Sequence, residues 1–312
     1  MKKLFLMVVA AMMAIGASAQ TTVKMIRVYE GNTVVYEQQY AAVDSVVFFD
    51  KTISTPSETE GALPGEFSVS ANKKVKFSKG NLQYVNSTWQ LAENQWDRPT
   101  SYNTVGKDVF TWGTGDDPAK TSTTADYSTF HDWGANPISN GGNEANMWRT
   151  LTADEWGYLF HDRTNASKLF GFGSVKGING VIILPDNWVT PEGASFTPNP
   201  LPWASVVDGR GDFSGYSGNT NYDCYDNNTY SEAQWLTMQA NGAVFLPAAN
   251  YYGDGEWGGA YWSATPKESS DRAYSLDFDK YFLYPHYLYI GSGENYSKRY
   301  VARAVRLVQD VE

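Results

Sequence analysis

The 312-residue sequence holds one cysteine, Cys224, and three histidines, His131, His161 and His286. A lone cysteine excludes an intrachain disulfide framework, so the fold has to rest on packing. The histidines share no short metal-ligand spacing, and no metal or other cofactor is expected from them. Cations are scarce too: 24 Lys and Arg stand against 34 Asp and Glu, a formal net charge of −10. That balance argues against sequence-independent binding to nucleic acid or to an anionic membrane, both of which need clustered cations. Beyond the first turn of sequence no apolar run approaches the ~20 residues that cross a bilayer as a helix.

The exception opens the chain and is itself too short to span. Met1, Lys2 and Lys3 give a positive start, Leu4 to Ile15 an apolar run, and Gly16 to Ala19 a small-residue cleavage site. This order predicts a secretory signal peptide over 1–19, with Gln20 as the first mature residue. An exported protein is expected, in the periplasm, at the cell surface or in the medium. No cysteine near the cleavage site could carry a lipid, and no membrane insertion is expected after cleavage.

What the chain has in quantity is aromatic: 15% of residues, including 11 Trp and 21 Tyr. That is enough for a sizeable core and an aromatic surface. Residues 23–29 and 33–37 are β-branched and aromatic runs around Gly31-Asn32, which predicts a hairpin. Val43 to Phe49 reads as a third short strand. Residues 20–50 thus form a small β-hairpin module, 51–66 a flexible linker rich in Ser, Thr, Pro, Glu and Gly, and 67–312 the main domain. Within it, Thr152 with Glu155 and Ser231 with Gln234 are capping boxes that start two helices. Trp156, Leu159 and Phe160 mark the face of the first. Trp235, Leu236 and Met238 follow the second box, and Gly242 stops that helix. Phe67 to Phe77 and Asn81 to Val85 read as a hairpin. Val181 to Leu184 and Ala243 to Leu246 are short buried runs. Tyr274 to Asp279 alternates as a half-buried strand should, and Val301 to Val308 is the last strand. Two helices, many short strands and long polar loops indicate a loop-rich α+β domain preceded by a small β appendage.

Six ordered blocks resemble one family: Phe67 to Ser70 with Phe77 to Tyr84, Trp148 to Trp156, Ile183 to Trp188, Gly242 to Ala249, Tyr261 to Thr265, and Ala304 to Val308. Together they are similar to exported Bacteroidetes proteins of the Fibrobacter major paralogous domain type, which have a C-type-lectin-like fold. The helix block and closing strand also look like the formylglycine-generating-enzyme branch of that fold. The resemblance implies that the N- and C-terminal strands of the domain pair. It implies function only weakly, because this fold carries lectins, oxidases, adhesins and receptors. Residues near Asp44 to Val46 look like the N-terminal module that often precedes such domains.

The resemblance does not bring its chemistry with it. The enzymatic branches use a cysteine pair or a histidine-rich triad, and this chain has neither. The calcium-and-sugar tripeptides of C-type lectins (Glu-Pro-Asn or Gln-Pro-Asp, and Trp-Asn-Asp) do not occur. The stretch Asp208 to Asn228, with Asp208, Asp212, Asp223 and Asp226, could hold calcium but lacks an EF-hand spacing, and a solvated loop is the simpler reading. Arg210-Gly211-Asp212 is a chance-length match to an integrin tripeptide. No Gly-x-Ser-x-Gly or His-Glu-x-x-His motif is present, so no catalytic residue is assigned.

Aromatics crowd Tyr281 to Tyr289 and continue to Tyr296. By the resemblance this region lies on the ligand face, and tyrosine suits recognition because it offers broad contact area with few torsions. The candidate ligand residues are Tyr281, Tyr284, His286, Tyr287, Tyr289, Asn295, Tyr296 and Trp257. Tyr251 and Tyr252 could extend the face, while Trp156 and Trp262 read as core anchors. Period-two alternation predicts that one set, such as Phe282, Tyr284 and His286, is buried and the other exposed. The leading expectation is a non-catalytic binding or adhesion protein for an extracellular protein or glycan. The alternatives are a secreted hydrolase acting on glycans, with paired carboxylates, and a structural surface or assembly protein.

Overall fold

The computed structural model describes residues 24–30, 33–40, 60–98, 105–206, 213–218, 222–248, 258–288 and 296–311, with backbone only for 24–30, 33–40, 204–206 and 213–214. The chain divides into two units, Met1–Thr55 and Pro56–Glu312. In the first, β1 (Lys24–Glu30) and β2 (Thr33–Tyr40) form the expected antiparallel hairpin, with a slip in register between Val28 and Tyr29. The expected strand over Val43 to Phe49 lies outside the described residues.

The second unit starts earlier than its composition suggests. Leu63 is buried in the main core, and its amide donates to the Phe77 carbonyl at 2.8 Å. Residues 60–66 are therefore built into the body, and the linker expectation fails for them. One apolar residue in a polar run is enough to anchor it when a strand offers backbone partners.

Strands β3 (Phe67–Ser70) and β4 (Lys73–Phe77) make one hairpin, and β5 (Leu82–Val85) and β6 (Thr88–Leu91) make the next. In place of the one hairpin expected from 67–77 and 81–85, each segment pairs with its own neighbour. The second turn is tight because Asn86 and Ser87 both take positive φ (50° and 61°), which matches the twist of a two-residue hairpin loop. After β7 (Arg149–Thr150) comes α1 (Ala153–Gly157), opened by the Thr152–Glu155 capping box. A single π-helical turn, Tyr158–Asp162, continues it, and Trp156, Leu159 and Phe160 are all buried.

Strands β8 (Phe170–Val175), β9 (Ile178–Ile183), β10 (Trp203–Val206), β11 (Phe213–Ser217) and β12 (Thr229–Tyr230) precede α2 (Glu232–Ala240). The Ser231–Gln234 box caps α2, Gly242 ends it at φ 93°, and Trp235 and Met238 face the core while Leu236 is exposed. Then follow β13 (Val244–Pro247), β14 (Gly258–Pro266), β15 (Ala273–Asp279), β16 (Phe282–Tyr287) and β17 (Leu307–Asp310). The last strand is shorter than expected. Residues 303 and 304 make only single bridges, to Phe110 and Tyr261.

The sheets of this unit run β3-β4-β17-β7, β12-β8-β9-β13, and β10-β11-β16-β15-β14, with β5-β6 as a separate ribbon. The result is a mixed α and β architecture with few helices and many short strands. Three buried clusters fill it. The main one gathers Phe67, Phe77, Trp156, Phe160, Phe170, Tyr261 and Phe278. A tryptophan-rich second contains Trp89, Trp112, Trp133, Trp148 and Trp262. The third packs Trp235 and Phe245 between α2 and β9. No helix among the described residues is long and apolar enough to cross a membrane.

Candidate functional site

The C-terminal aromatic stretch falls on β16 and on the turn that leads into it. Asp279 makes that turn, its Oδ1 accepting from the amides of Tyr281 (2.7 Å) and Phe282 (2.9 Å). Aspartate suits such a turn because its short side chain reaches its own downstream backbone. Burial pushes the Asp279 carboxyl above the usual carboxylate range, against the pull of those two amides.

β16 lies between β11 and β15, an interior position in the five-stranded sheet. Its pleat sends Leu283 and Pro285 inward and leaves Phe282, Tyr284, His286 and Tyr287 half-buried. The alternation is real, but its phase is the reverse of the one expected. Leu283 stands opposite Tyr216 on one side and Phe278 on the other, and both belong to the main core. Neighbouring strands therefore decide which face of β16 is buried.

On the other face the rings form a row. Centroids are 6.3 Å apart for Tyr281 and Phe282, 5.7 Å for Phe282 and Tyr284, and 6.0 Å for Tyr284 and Tyr287. The Phe282 and Tyr284 planes differ by only 15°. Gly215 of β11 makes room for this: a Cβ there would lie 2.7 Å from Tyr284 Cδ1. The Tyr284 ring thus leans across β11 over the space a side chain would fill. At one end Lys280 Nζ sits 5.1 Å from the Tyr281 ring centroid and 3.3 Å from Asp223.

Buried Arg303 fastens the other end. Its Nη1 donates to both Asp277 oxygens, at 2.7 and 2.8 Å, and its Nη2 donates to the Tyr296 carbonyl. The guanidinium lies 5.0 Å from the Trp262 ring and 5.9 Å from that of Tyr287, a cation held between two π faces. Asp277 faces Tyr284 across the β15–β16 register. One salt bridge thus ties the row, the strand beneath it and the tryptophan-rich core together.

Of the eight candidate residues, Tyr281, Tyr284 and Tyr287 stand in this row, and Tyr296 joins it through its backbone and Arg303. His286 does not. It packs on Gly157 of α1, where a Cβ would lie 2.4 Å from its Nε2, and it is 3.9 Å from Asp154. Tyr289, Asn295 and Trp257 lie outside the described residues, as do Tyr251, Tyr252, Asp208 and the Arg210-Gly211-Asp212 tripeptide. Phe282 was expected inside, and Arg303, Asp277 and Gly215 were not singled out. The available signal was the pair of arginines, Arg303 and Arg306, inside the otherwise apolar run Val301 to Val308. Trp203, also missed, is 37% exposed and stacks on His161 with centroids 3.9 Å apart. It belongs to the opposite face, since it pairs with core-facing Tyr216.

Among the described residues no three His, Cys, Asp or Glu side chains gather as a metal site. Asp223 accepts from the Tyr225 amide at the start of a short 3-10 turn, and Asp226 is exposed. Burial, with Asp223 and Asp279 nearby, pushes the Cys224 thiol up to about 11, which leaves it a poor nucleophile at neutral pH. Compared with known proteins, the chain matches no protein-family model, no curated protein and no solved structure.

Proposed function

We propose that the protein is an exported, non-catalytic binding protein that engages an extracellular protein or glycan through the aromatic row of β16. The observation that carries this reading is the seating of the row. Four half-buried rings follow one another along an interior strand and the turn before it, pinned by the Asp279 turn at one end and by Arg303–Asp277 at the other. Aromatic side chains placed this firmly lose little conformational freedom on binding, and that favours recognition. The antiparallel pairing of β17 with β4, near the two ends of the main unit, supports a scaffold of the C-type-lectin-like kind. The basic start, apolar run and small-residue site of 1–19 support export.

The test is capture of ligands from arrays of extracellular protein domains and of glycans by the mature chain. Tyr281→Ala, Tyr284→Ala and Tyr287→Ala should each weaken capture while the unfolding transition stays cooperative. Capture that survives all three would remove the row as the site. Amino-terminal sequencing of the exported product should begin at Gln20.

A further inference from the structure

Resting on that reading, we propose that the ligand of the row is an uncharged oligosaccharide, its sugar rings laid against Phe282 and Tyr284. Two residues apart on one face of a strand, these side chains have nearly parallel rings with centroids 5.7 Å apart. Tyr284 leans over Gly215 instead of standing off the sheet. Such rings make a narrow stepped track. The π faces of aromatic rings are negative, so they attract the weakly positive C–H bonds on the flat side of a pyranose, just as they attract the edges of other rings.

Charge narrows the choice. Asp277 is neutralised by Arg303, and Asp223 lies 3.3 Å from Lys280. Among the described residues this face therefore has no surplus cation for a sulfate, phosphate or uronate, and the whole chain, at −10, repels polyanions. Sugar hydroxyls need no net charge, only donors and acceptors of the kind a phenol carries. A peptide adding itself as a strand is disfavoured because β16 is interior to its sheet. A globular protein partner would cover about 800 Å² on each side, far more than a row of four rings provides.

The experiment uses the mature full-length chain on an array of neutral α- and β-linked oligosaccharides, sulfated and uronate-containing oligosaccharides, and extracellular protein domains. Phe282→Ala, Tyr284→Ala and, from the opposite face, Trp203→Ala are compared with the unsubstituted chain. Neutral oligosaccharides should bind, with little change between low and high salt or on adding a chelator. Phe282→Ala and Tyr284→Ala should each weaken that binding by about tenfold, Tyr284→Phe should retain most of it, and Trp203→Ala should leave it unchanged. Binding confined to acidic sugars, or lost at high salt, would overturn the proposal. A protein ligand that needs Tyr284, with no neutral sugar bound, would overturn it while leaving the binding face intact. Neutral sugar binding indifferent to Phe282 and Tyr284 would sink both the proposal and the face.

Discussion

Cys224 sits fully buried between Asp223 and Tyr225, with its thiol pushed up to about 11 by burial and by the carboxylates of Asp223 and Asp279. Outside the cytoplasm, where the proposed export would take the chain, a free surface thiol would cross-link its copies. The native protein should therefore react with a thiol reagent only as fast as it unfolds, and form no disulfide-linked dimer under mild oxidation. Rapid labelling at neutral pH without denaturant would contradict this placement. Gly134 makes a different kind of demand. A Cβ there would lie 2.2 Å from the Trp148 carbonyl oxygen and 2.3 Å from its carbon, both backbone atoms leading into β7. Gly134→Ala should cost about 1–3 kcal/mol through overpacking, read as a lowered midpoint in urea. Neither feature has a local sequence signature. A glycine needed for space looks like one needed for a turn, and burial of a cysteine depends on strands far away in the chain.

At the scale of elements, the helix starts were the most legible part of the molecule. A capping box is a local device: the cap hydroxyl, the third residue's side chain and two amides lie within four residues, so the sequence contains the whole interaction. Glu155 shows what the sequence did not contain. Beyond capping Thr152 at 2.9 Å, it takes a bidentate bond from Arg149, at 2.6 and 2.8 Å, and lies 3.3 Å from Lys73. Burial pushes its carboxyl up, but the bonds from Arg149 and Thr152 outweigh that and hold it below the usual range. A carboxyl lowered on folding stabilises the protein above its unfolded value of about 4.3, and that stability is lost as pH falls through the lower folded value. Glu155→Gln should thus be less stable by about 1.5–3 kcal/mol near neutral pH, with the gap closing in acid. Unfolding curves at neutral pH and near pH 3 check it. A gap that stayed constant with pH would mean the charge is irrelevant. The aromatic row was half legible for the same reason. Its residues and their period-two spacing are local, whereas the phase of β16 is set by Tyr216 and Phe278 on neighbouring strands.

Across the whole molecule the closing strand carries a disproportionate share of the fold. β17 lies inside its sheet, with β4 on one side and β7 on the other, so it joins segments about 230 and 160 residues upstream. Leu307 and Val308 are fully buried, each in a different core cluster. Just before them, buried Arg306 donates to the Ser78 carbonyl at 2.9 Å and to that of Phe245, so a charge is taken out of water to bind three parts of the chain together. Burial pulls that guanidinium down to about 10. No composition argument reveals this, because Val-Arg-Leu-Val reads equally well as an edge strand with its arginine in solvent. The consequence is sharp. Ending the chain after Arg306 removes two fully buried side chains, each worth about 2–5 kcal/mol, and leaves β4 and β7 without their shared partner. Domains of this size have only about 5–15 kcal/mol in total. The shortened protein should lose its near-ultraviolet circular dichroism and cooperative unfolding, whereas removal of Val311 and Glu312 alone should leave both nearly unchanged. A cooperative transition in the chain that ends at Arg306 would show that β17 is an accessory to the fold and not its clasp.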